Sequence, residues 1–199
     1  MLVCVATELE GALLLKEKGI SVVVTGIGPV NAAHALTAAL AGRTVQRVVV
    51  CGFGGAYPGS GLAVLDVTCA ETETYADLGA ESPDGFLDME ALGFPVVKDH
   101  YNRLPLSLFP ADTRVPYVTT TTCTGTDATA RAIVQRTGGA VESMEGAAIV
   151  HVALKHGVKV GEVRAVSNLV GDRDRRAWKV KEAAAQAQQA LLEWIQTPC

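Results

Sequence analysis

The chain is poor in aromatic residues, in charge and in long apolar runs, and each shortage excludes a class of protein. Aromatic residues make up 5% of the 199 residues, and charged residues make up 19%. The 17 basic and 21 acidic side chains give a formal net charge of −4, so a broad basic face for a nucleic-acid backbone is not expected. We therefore expect no nucleic-acid partner. We also expect no membrane partner, since no apolar run approaches the ~18 residues of a membrane-spanning helix.

The sequence also lacks a metal-binding pattern and a secretion signal. Its five cysteines, at positions 4, 51, 69, 123 and 199, form no C-x-x-C pair, and its four histidines show no ligand spacing. Cys4, Cys51 and Cys69 lie in strand-like runs, where we expect small buried thiols. Because Glu8 and Glu10 follow the first apolar residues and no basic segment precedes them, we expect no signal peptide. These features predict a soluble cytoplasmic protein without a metal.

The residues that are abundant favour a compact α/β protein. Apolar residue types make up 49% of the chain, which suffices for a sizeable core and excludes general disorder. The 20 glycines, and short β-branched runs separated by Ala-rich stretches, are typical of strands and helices joined by tight loops. At about 150 residues for a domain, the length favours one domain over residues 1–199. We therefore predict an α/β sandwich around a largely parallel sheet.

The hydrophobic pattern also predicts individual elements. Strands are predicted at 2–6, 21–25, 47–51, 64–69, 117–122 and 160–166, with a short one near Ala140. Helices are predicted at 8–18, 29–41, 127–137, 145–156 and 178–195. From Glu71 to Pro116, a stretch that holds five of the eight prolines, the periodicity fails. We interpret this stretch as long loops with short elements, suited to a substrate lid or a subunit contact.

Two glycine-rich loops follow predicted strands, at the positions where parallel sheets bind ligands. The first reads Gly26-Ile27-Gly28-Pro29-Val30-Asn31, which resembles a dinucleotide fingerprint but has Asn31 in place of the third glycine and an unusual Pro29. We therefore expect no nicotinamide cofactor, and we assign no other. The second reads Gly52-Phe53-Gly54-Gly55, where the missing side chains let backbone amides approach a ligand. A simple tight turn would also explain either loop alone.

Two further segments could carry chemistry. Met144 precedes the predicted helix 145–156, which is apolar on nearly every side, so the carboxylate of Glu145 lies at the start of a buried helix. It could complement the helix dipole, or it could accept two hydroxyl hydrogen bonds, as from a ribose 2′,3′-diol. Asn168 ends the last predicted strand, where its amide could form a turn or bind a base. The charged run 171–176 that follows is typical of a solvated loop.

Taken together, these segments resemble the nucleoside phosphorylase and nucleosidase superfamily over nearly the whole chain. The shared motifs are Glu-x-Glu after the first strand, Gly-Ile-Gly-Pro-Val-Asn-Ala-Ala, Gly-x-Gly-Gly, Met-Glu-Gly-Ala-Ala and Val-Arg-Ala-Val-Ser-Asn, in this order. Within the superfamily, segments 124–129, 142–146 and 167–174 are similar to the futalosine hydrolase family, which is related to the methylthioadenosine nucleosidases. The resemblance implies a three-layer, nucleoside phosphorylase-like sandwich with a largely parallel mixed central sheet.

The resemblance implies hydrolysis of an N-glycosidic bond. Futalosine would be cleaved to hypoxanthine and dehypoxanthine futalosine, in the futalosine route to menaquinone. Water would attack the anomeric carbon of an oxocarbenium-like ribose, and a carboxylate must take the proton of that water. By motif position, Glu10 matches the water-activating glutamate of the related nucleosidases. Glu145 matches the glutamate that holds the ribose hydroxyls, with Met144 beneath the sugar.

The base-binding residues that the resemblance implies depart from those of the adenine-specific nucleosidases, which have an aspartate at the position of Asn168. Because an Asn amide can donate to N7 or O6 without titrating, this difference suits a 6-oxopurine such as hypoxanthine. Thr122, Cys123 and Thr124 end a predicted strand where the superfamily surrounds the purine with backbone atoms and an aromatic side chain. Since these three residues are not aromatic, we expect Phe53, in the loop with Gly54, to pack against the ring.

Three further questions stay open in the sequence. Futalosine carries an aryl carboxylate on its 5′ arm, for which Lys98, Arg103 and Arg173 are candidate partners. Either Asp172 or Asp174 could supply a proton to the base. The superfamily commonly forms oligomers in which a neighbouring loop closes the 5′ end, so we expect a homo-oligomer with residues 71–116 at the contact.

Other functions are compatible with parts of the sequence. Phosphorylases of the superfamily use a basic N-terminal glycine loop to bind phosphate, and the acidic residues after the first strand here favour hydrolysis instead. A purine nucleoside phosphorylase or another nucleosidase is nevertheless an alternative. A non-catalytic nucleoside-binding module is a third, but it gives no reason to keep both Glu10 and Glu145.

Overall fold

The structure, a computed structural model, describes residues 1–197, so Cys199 lies outside the described residues. In this part of the chain the strands are β1 (Leu2–Val5), β2 (Ser21–Val24), β3 (Arg47–Ala56), β4 (Val67–Tyr75), β5 (Gly79–Ser82), β6 (Gly85–Asp88), β7 (Arg103–Pro105), β8 (Arg114–Thr119), β9 (Val141–Ser143) and β10 (Lys159–Leu169). The α-helices are α1 (Glu8–Gly11), α2 (Pro29–Leu40), α3 (Asp127–Thr137), α4 (Gly146–Lys155) and α5 (Val180–Gln196).

A mixed eight-stranded sheet forms the centre of the molecule, and β5 and β6 form a separate hairpin. Strands β2, β1, β3 and β10 run parallel side by side, as do β4, β8 and β9. Antiparallel pairs join β10 to β4 and β4 to β7. Because β9 also pairs antiparallel with the end of β3 at Gly55 and Ala56, strands β3, β10, β4, β8 and β9 close into a ring.

Helices cover both faces of the sheet, because successive residues of a strand point to opposite sides. One buried cluster joins Leu2 and neighbouring sheet residues to α2 and α4, through side chains such as Leu36 and Ile149. The other joins the alternate residues, such as Val3, to Leu191 of α5. This arrangement confirms the predicted three-layer α/β sandwich with a mixed central sheet. The predicted burial of Cys4, Cys51 and Cys69 is also confirmed.

The helix predicted at 8–18 is wrong in its length. The α-helix ends at Gly11, and a short 3₁₀ turn follows at Leu14–Lys16. Gln188 of α5 takes over the backbone groups that would continue the helix, since its side chain donates to Leu9 O at 3.2 Å and accepts from Leu13 N at 2.7 Å. A long-range contact therefore ends α1 early, which a local pattern does not reveal.

The strand predicted at 117–122 is also misplaced, because β8 ends at Thr119. Thr122, Cys123 and Thr124 therefore belong to the following loop and do not end a strand. Two carboxylates from other elements bind the backbone of this loop: Asp77 Oδ2 accepts from Thr121 N at 2.6 Å, and Glu142 Oε1 accepts from Thr124 N at 2.9 Å. The chain leaves the sheet because these carboxylates satisfy amides that would otherwise extend the strand ladder.

The stretch 71–116 contains more regular structure than the sequence predicts. Strand β4 continues to Tyr75, the hairpin β5–β6 follows, and β7 pairs with β4 before β8 begins at Arg114. Asn102 connects the end of β4 to the segment before β5, because its amide nitrogen donates to Tyr75 O at 2.8 Å and to Leu78 O at 2.7 Å.

In the described residues 1–197, no helix is long and apolar enough to cross a membrane.

Candidate active site

The carboxyl ends of β1, β3 and β10, together with neighbouring loops, surround a cavity of about 220 Å³. Of the nine site residues predicted from the sequence, the cavity lining includes Glu10, Phe53, Gly54, Cys123, Thr124, Met144, Glu145 and Asn168. The ninth, Thr122, is exposed in the loop after β8 and does not belong to the residues that line the cavity in the described part of the chain. The structure therefore brings these eight residues from five separate segments of the chain to one cavity.

Glu10 is positioned by the short helix α1. The backbone N of Thr7 donates to Glu10 Oε2 at 3.0 Å, as in a capping box, and the Thr7 Oγ1 donates to the same oxygen at 2.8 Å. Phe53 N donates to the other carboxylate oxygen at 3.4 Å. A Cβ at Gly52 would lie 2.3 Å from that oxygen, so glycine in β3 provides the space that the Glu10 side chain occupies.

Burial raises the pKa of Glu10 above the ordinary value for a glutamate, while Arg164 and the Thr7 hydroxyl act in the opposite direction. The side chain lines the cavity although only 2% of the residue is exposed. A carboxylate with a raised pKa is a better proton acceptor than an exposed one, since general-base catalysis is most effective when the pKa approaches the working pH. Glu10 has the environment that a catalytic base requires.

Glu145 precedes the first residue of α4, and its side chain contacts other elements rather than its own helix. Its Oε1 accepts from Gly28 N at 2.9 Å, and its Oε2 lies 3.8 Å from Arg164 Nη2. Gly28 has a φ of 92°, which favours glycine and directs its amide towards this carboxylate. The first glycine-rich loop therefore positions Glu145, and Met144 lies next to it in the cavity lining.

Arg164 of β10 is the functional residue that the sequence analysis left without a role. It is 2% exposed, its Nε lies 2.5 Å from Glu162 Oε1, and its Nη1 donates to Phe53 O at 2.7 Å. Burial alone would lower the pKa of Arg164, but Glu162, Glu145 and Glu10 raise it, so the guanidinium stays charged. A basic residue within a strand of apolar residues signals a buried ion pair, and this signal could have identified Arg164.

Asn168 reaches the cavity through an irregularity in β10. The register of β10 against β3 shifts between Val166 and Asn168, and such a bulge changes the direction of a side chain. Ser167 Oγ donates to Asn168 Oδ1 at 2.7 Å, and Asn168 Nδ2 donates to Leu169 O at 3.1 Å. The amide is thus held with its nitrogen as a donor, and the second hydrogen of that nitrogen can serve a ligand.

The loop beside Asn168 is held by Glu142 of β9, a residue for which the sequence predicts no role. Glu142 Oε2 accepts hydrogen bonds from the hydroxyls of Tyr57 and Thr124. With both oxygens satisfied, Glu142 fixes the backbone of the loop. Cys123 lies at the surface of this loop, and Arg173 Nη1 donates to its sulfur at 3.4 Å.

The three candidate partners of the 5′ aryl carboxylate, Lys98, Arg103 and Arg173, occupy different places in the structure. Arg173 lines the cavity, with its guanidinium 5.0 Å from the ring centre of Trp178. Arg103 donates to Thr137 O at 2.7 Å and lines a separate cavity, and Lys98 is exposed. Among the described residues, Arg173 is therefore the candidate that faces the site.

Asp172 and Asp174 lie in the exposed loop after β10, beside the cavity rather than in its described lining. Asp172 Oδ1 accepts from Asp127 N at 3.1 Å, and the side chain of Asp174 pairs with Arg176 at 2.9 Å. This pairing lowers the pKa of Asp174. An aspartate held in its ionised form is a poor proton donor for a leaving base.

Comparison with known proteins places these features in a family context. Residues 9–196 match the family model described as the phosphorylase superfamily. A futalosine hydrolase from Streptomyces coelicolor is 40% identical over 177 residues, which are 84% of this chain and 74% of that protein. A futalosine hydrolase from Thermus thermophilus is 36% identical over 191 residues, which are 89% of this chain and 81% of that protein.

Solved structures with the same fold are 5′-methylthioadenosine/S-adenosylhomocysteine nucleosidases. The enzyme from Neisseria meningitidis, in complex with methylthio-immucillin-A, superposes with a TM-score of 0.84 at 20% identity, over 98% of this chain and 97% of that one. The Streptococcus pneumoniae enzyme, in complex with 8-aminoadenine, gives 0.83 at 19% identity, over 99% of each chain. At these identities the likeness shows the fold.

Proposed function

The chain belongs to the futalosine hydrolase family of the phosphorylase superfamily, and on this premise we propose how its cavity carries out the reaction. The protein is an N-glycosyl hydrolase that cleaves futalosine, in the futalosine route to menaquinone. The observation that carries the mechanism is the convergence of Glu10, Glu145 and Arg164 on one side of a single cavity. We assign the ribose to this side.

Glu145 holds the 2′- and 3′-hydroxyls of the ribose. A carboxylate accepts two hydroxyl hydrogen bonds, and its negative charge favours the positive charge that develops on the sugar ring as the bond to the base breaks. Gly28 N and Arg164 fix the carboxylate before substrate arrives, so little reorganisation is needed in the transition state. Met144 packs beneath the sugar.

Glu10 takes the proton of the attacking water as that water bonds to the anomeric carbon. Its hydrogen bonds from Thr7 leave Oε1, which has only the long contact from Phe53 N, to bind the water. The raised pKa makes this carboxylate a stronger proton acceptor than an exposed glutamate. The two glutamates thus divide the work, since Glu10 activates the nucleophile and Glu145 stabilises the sugar.

Asn168 binds the leaving base. Its free amide hydrogen donates to N7 or O6 of a 6-oxopurine, which stabilises the electrons that flow into the ring. The base leaves as its anion and takes a proton from solvent water to become hypoxanthine. Phe53, Cys123 and Thr124 line the same part of the cavity and surround the purine ring. Because an amide does not titrate near neutral pH, Asn168 acts as a hydrogen-bond donor and not as a general acid.

Arg173 binds the aryl carboxylate on the 5′ arm of futalosine. The two basic residues in the described cavity lining are Arg164, whose guanidinium is engaged with protein groups, and Arg173, which is exposed. An exposed guanidinium can pair with a carboxylate that arrives with the substrate. Arg103 and Lys98 lie elsewhere and are not assigned this role.

One assay tests the reaction against its alternatives. The protein is incubated with futalosine, and separately with inosine, in the presence and absence of phosphate, and release of hypoxanthine is measured. Release from futalosine that is independent of phosphate is expected. Release that requires phosphate would establish a phosphorylase instead, and binding without release would establish a non-catalytic module.

The single domain over residues 1–199, the homo-oligomer and the cytoplasmic location stay predictions.

A further inference from the structure

Two fully buried carboxyl groups, Glu73 of β4 and Glu162 of β10, approach each other beside Gly146. Among the described residues, Glu73 Oε1 and Glu162 Oε2 have no hydrogen-bond partner. Both oxygens lie against Gly146, since a Cβ there would be 2.0 Å from the first and 2.5 Å from the second. The two unpaired oxygens therefore approach the same point, in a place where glycine leaves room for them.

The remaining contacts of the pair show which group can carry a proton. Glu162 Oε1 lies 2.5 Å from Arg164 Nε, so Glu162 is the counter-ion of a buried guanidinium. Thr119 Oγ1 accepts from Ala147 N at 2.8 Å, and its own hydrogen therefore goes to Glu73 Oε2 at 3.0 Å. Since Oε2 of Glu73 is an acceptor, a proton on Glu73 has to be on Oε1, the oxygen that faces Glu162.

We propose that Glu73 is a neutral carboxylic acid that donates a hydrogen bond to Glu162, and that this pair positions Arg164 against the sugar-binding Glu145. One proton satisfies both unpaired oxygens and removes the repulsion between two adjacent buried carboxylates. Burial raises the pKa of Glu73 well above its usual value, and the charge of Glu162 raises it further, which agrees with this assignment. Glu73 and Glu162 are positioning residues, because they act on the substrate through Arg164.

The effect on the sugar follows from the contacts of Arg164. Its Nε is fixed by Glu162 and its Nη1 by Phe53 O, which leaves Nη2 directed at Glu145. If Glu162 loses its charge, the guanidinium is drawn towards Glu10 and Glu145, and the ribose-binding geometry changes. This part of the inference rests on the proposed role of Glu145, whereas the protonation of Glu73 does not.

Two matched substitutions test the pair by kinetics. Glu73→Gln keeps a donor for Glu162 and an acceptor for Thr119, so kcat/KM for futalosine should stay within about threefold of the parent. Glu162→Gln removes the counter-ion of Arg164, and kcat/KM should fall by about 10–100-fold. Discrimination between futalosine and its 2′-deoxyribosyl analogue should shrink in Glu162→Gln, a change that general destabilisation would not produce. Equal losses in the two variants would overturn the proposal.

An infrared measurement on the ligand-free protein tests the proton directly. The parent at neutral pH should show the C=O stretch of a buried protonated carboxylic acid, which should disappear in Glu73→Gln and persist in the control Glu10→Gln. Absence of the band in the parent, or its loss in Glu10→Gln alone, would overturn the assignment. This comparison decides the matter even if Glu162→Gln does not fold. If the band behaves as expected but Glu145→Gln leaves the 2′-deoxy discrimination unchanged, the proposed role of Glu145 fails and the buried pair stands.

Discussion

The two ends of the cavity differ in the burial and charge of their side chains and in the elements that carry them. At the sugar end, Glu10, Glu145 and Arg164 are almost completely buried and charged, and they come from the starts of helices and from a central strand. At the base end, Cys123 and Arg173 belong to loops, and Arg173 is exposed. The groups assigned to the bond-breaking step are thus fixed by the core, whereas the groups assigned to the leaving base and the 5′ arm are divided between strands, which carry Phe53 and the buried Asn168, and loops, which carry Cys123, Thr124 and Arg173.

The difference has an energetic reason. A buried charge is tolerated only when it is paired and hydrogen-bonded, so the sugar end requires several elements to supply partners at fixed positions. The same fixed positions stabilise charge in the transition state without reorganisation. An exposed ion such as Arg173 needs no such support, and a loop can carry it. Substitutions of the buried carboxylates at the sugar end should therefore have larger effects than substitutions at the base end.

Glu10→Gln should have the largest effect. The amide keeps the shape of the side chain but cannot accept the proton of the attacking water, so kcat should fall by about 10²–10⁴-fold while the binding of substrate and the fold are retained. Steady-state kinetics, with circular dichroism as the control for folding, measure this. A variant within about threefold of the parent would remove Glu10 from the mechanism and break the contrast between the two ends.

Glu145→Gln should weaken binding and slow the chemical step together, with a loss of about 100-fold in kcat/KM, because it removes a charge that faces the oxocarbenium-like sugar. The loss should be smaller for a 2′-deoxyribosyl analogue, which already lacks one of the shared hydrogen bonds. Kinetics of both variants with both substrates separate the contributions. An equal loss on the two substrates would show that Glu145 does not hold the 2′-hydroxyl.

Asn168→Asp tests the base end, where the expected effect is on preference rather than on rate alone. An ionised Asp presents acceptors to O6 and N7, so release of hypoxanthine should fall as the pH rises through the pKa of the new carboxyl group. The protonated Asp can donate to N7 and accept from a 6-amino group. A mismatched pair of buried acceptors costs about 1–3 kcal/mol, so the preference for futalosine over its 6-amino counterpart should change by about 10–100-fold.

The control for this prediction is the parent enzyme, whose Asn168 does not titrate. Kinetics on both substrates across pH should show a pH-dependent ratio in Asn168→Asp and a constant ratio in the parent. If the ratio is the same in the two proteins at every pH, Asn168 does not bind the purine, and the base end is built from other residues.

The base end also shows where the sequence was informative and where it was not. The motifs of the family resemblance pointed to Glu10, Glu145 and Asn168, which all line the cavity, and their roles stay proposals. The strand pattern predicted the sandwich, because local periodicity records which face of an element is buried. Thr122 was misplaced because β8 ends where Asp77, distant in sequence, binds the Thr121 backbone. Long-range hydrogen bonds of this kind have no local signature.

Local sequence patterns also could not predict which residues contact each other in the core. The side chain of Gln188 ends α1 from a distance of 175 residues along the chain, and no feature near Leu13 predicts it. Arg164 is different, since an arginine between apolar strand residues already required buried carboxylates. What the sequence could not supply was which ones, because Glu162 lies two residues away whereas Glu10 and Glu145 come from other segments.

Arg173→Gln should have a smaller effect, because exposed ion pairs are weakened by solvent. We expect kcat/KM for futalosine to fall by about 3–10-fold and the value for inosine, which has no aryl carboxylate, to change little. Arg103→Gln is the matched control, since Arg103 lines a separate cavity and should leave both substrates unaffected. If futalosine and inosine lose activity equally in Arg173→Gln, the arginine does not bind the 5′ arm.

Thr7→Val should have the smallest effect, and it concerns the pH dependence of the sugar end. The catalytic form of Glu10 is the carboxylate, so kcat/KM should fall as the pH is lowered through the pKa of Glu10, which burial raises above the ordinary value. The Thr7 hydroxyl stabilises the carboxylate and lowers this pKa, because it donates to Oε2 at 2.8 Å. Valine has nearly the same shape without the hydroxyl and keeps the backbone donor.

The substitution should therefore raise the pKa of Glu10 and move the acid limb of the kcat/KM profile to higher pH. A hydrogen bond of about 0.5–1.5 kcal/mol corresponds to a shift of about 0.4–1 pH unit, with little change in kcat/KM on the alkaline side of the limb. pH profiles of Thr7→Val and the parent measure this. A limb that stays in place while the plateau falls would mean that Thr7 acts on the geometry of α1 rather than on the protonation of Glu10. A limb absent from both proteins would mean that Glu10 does not have to be ionised for turnover.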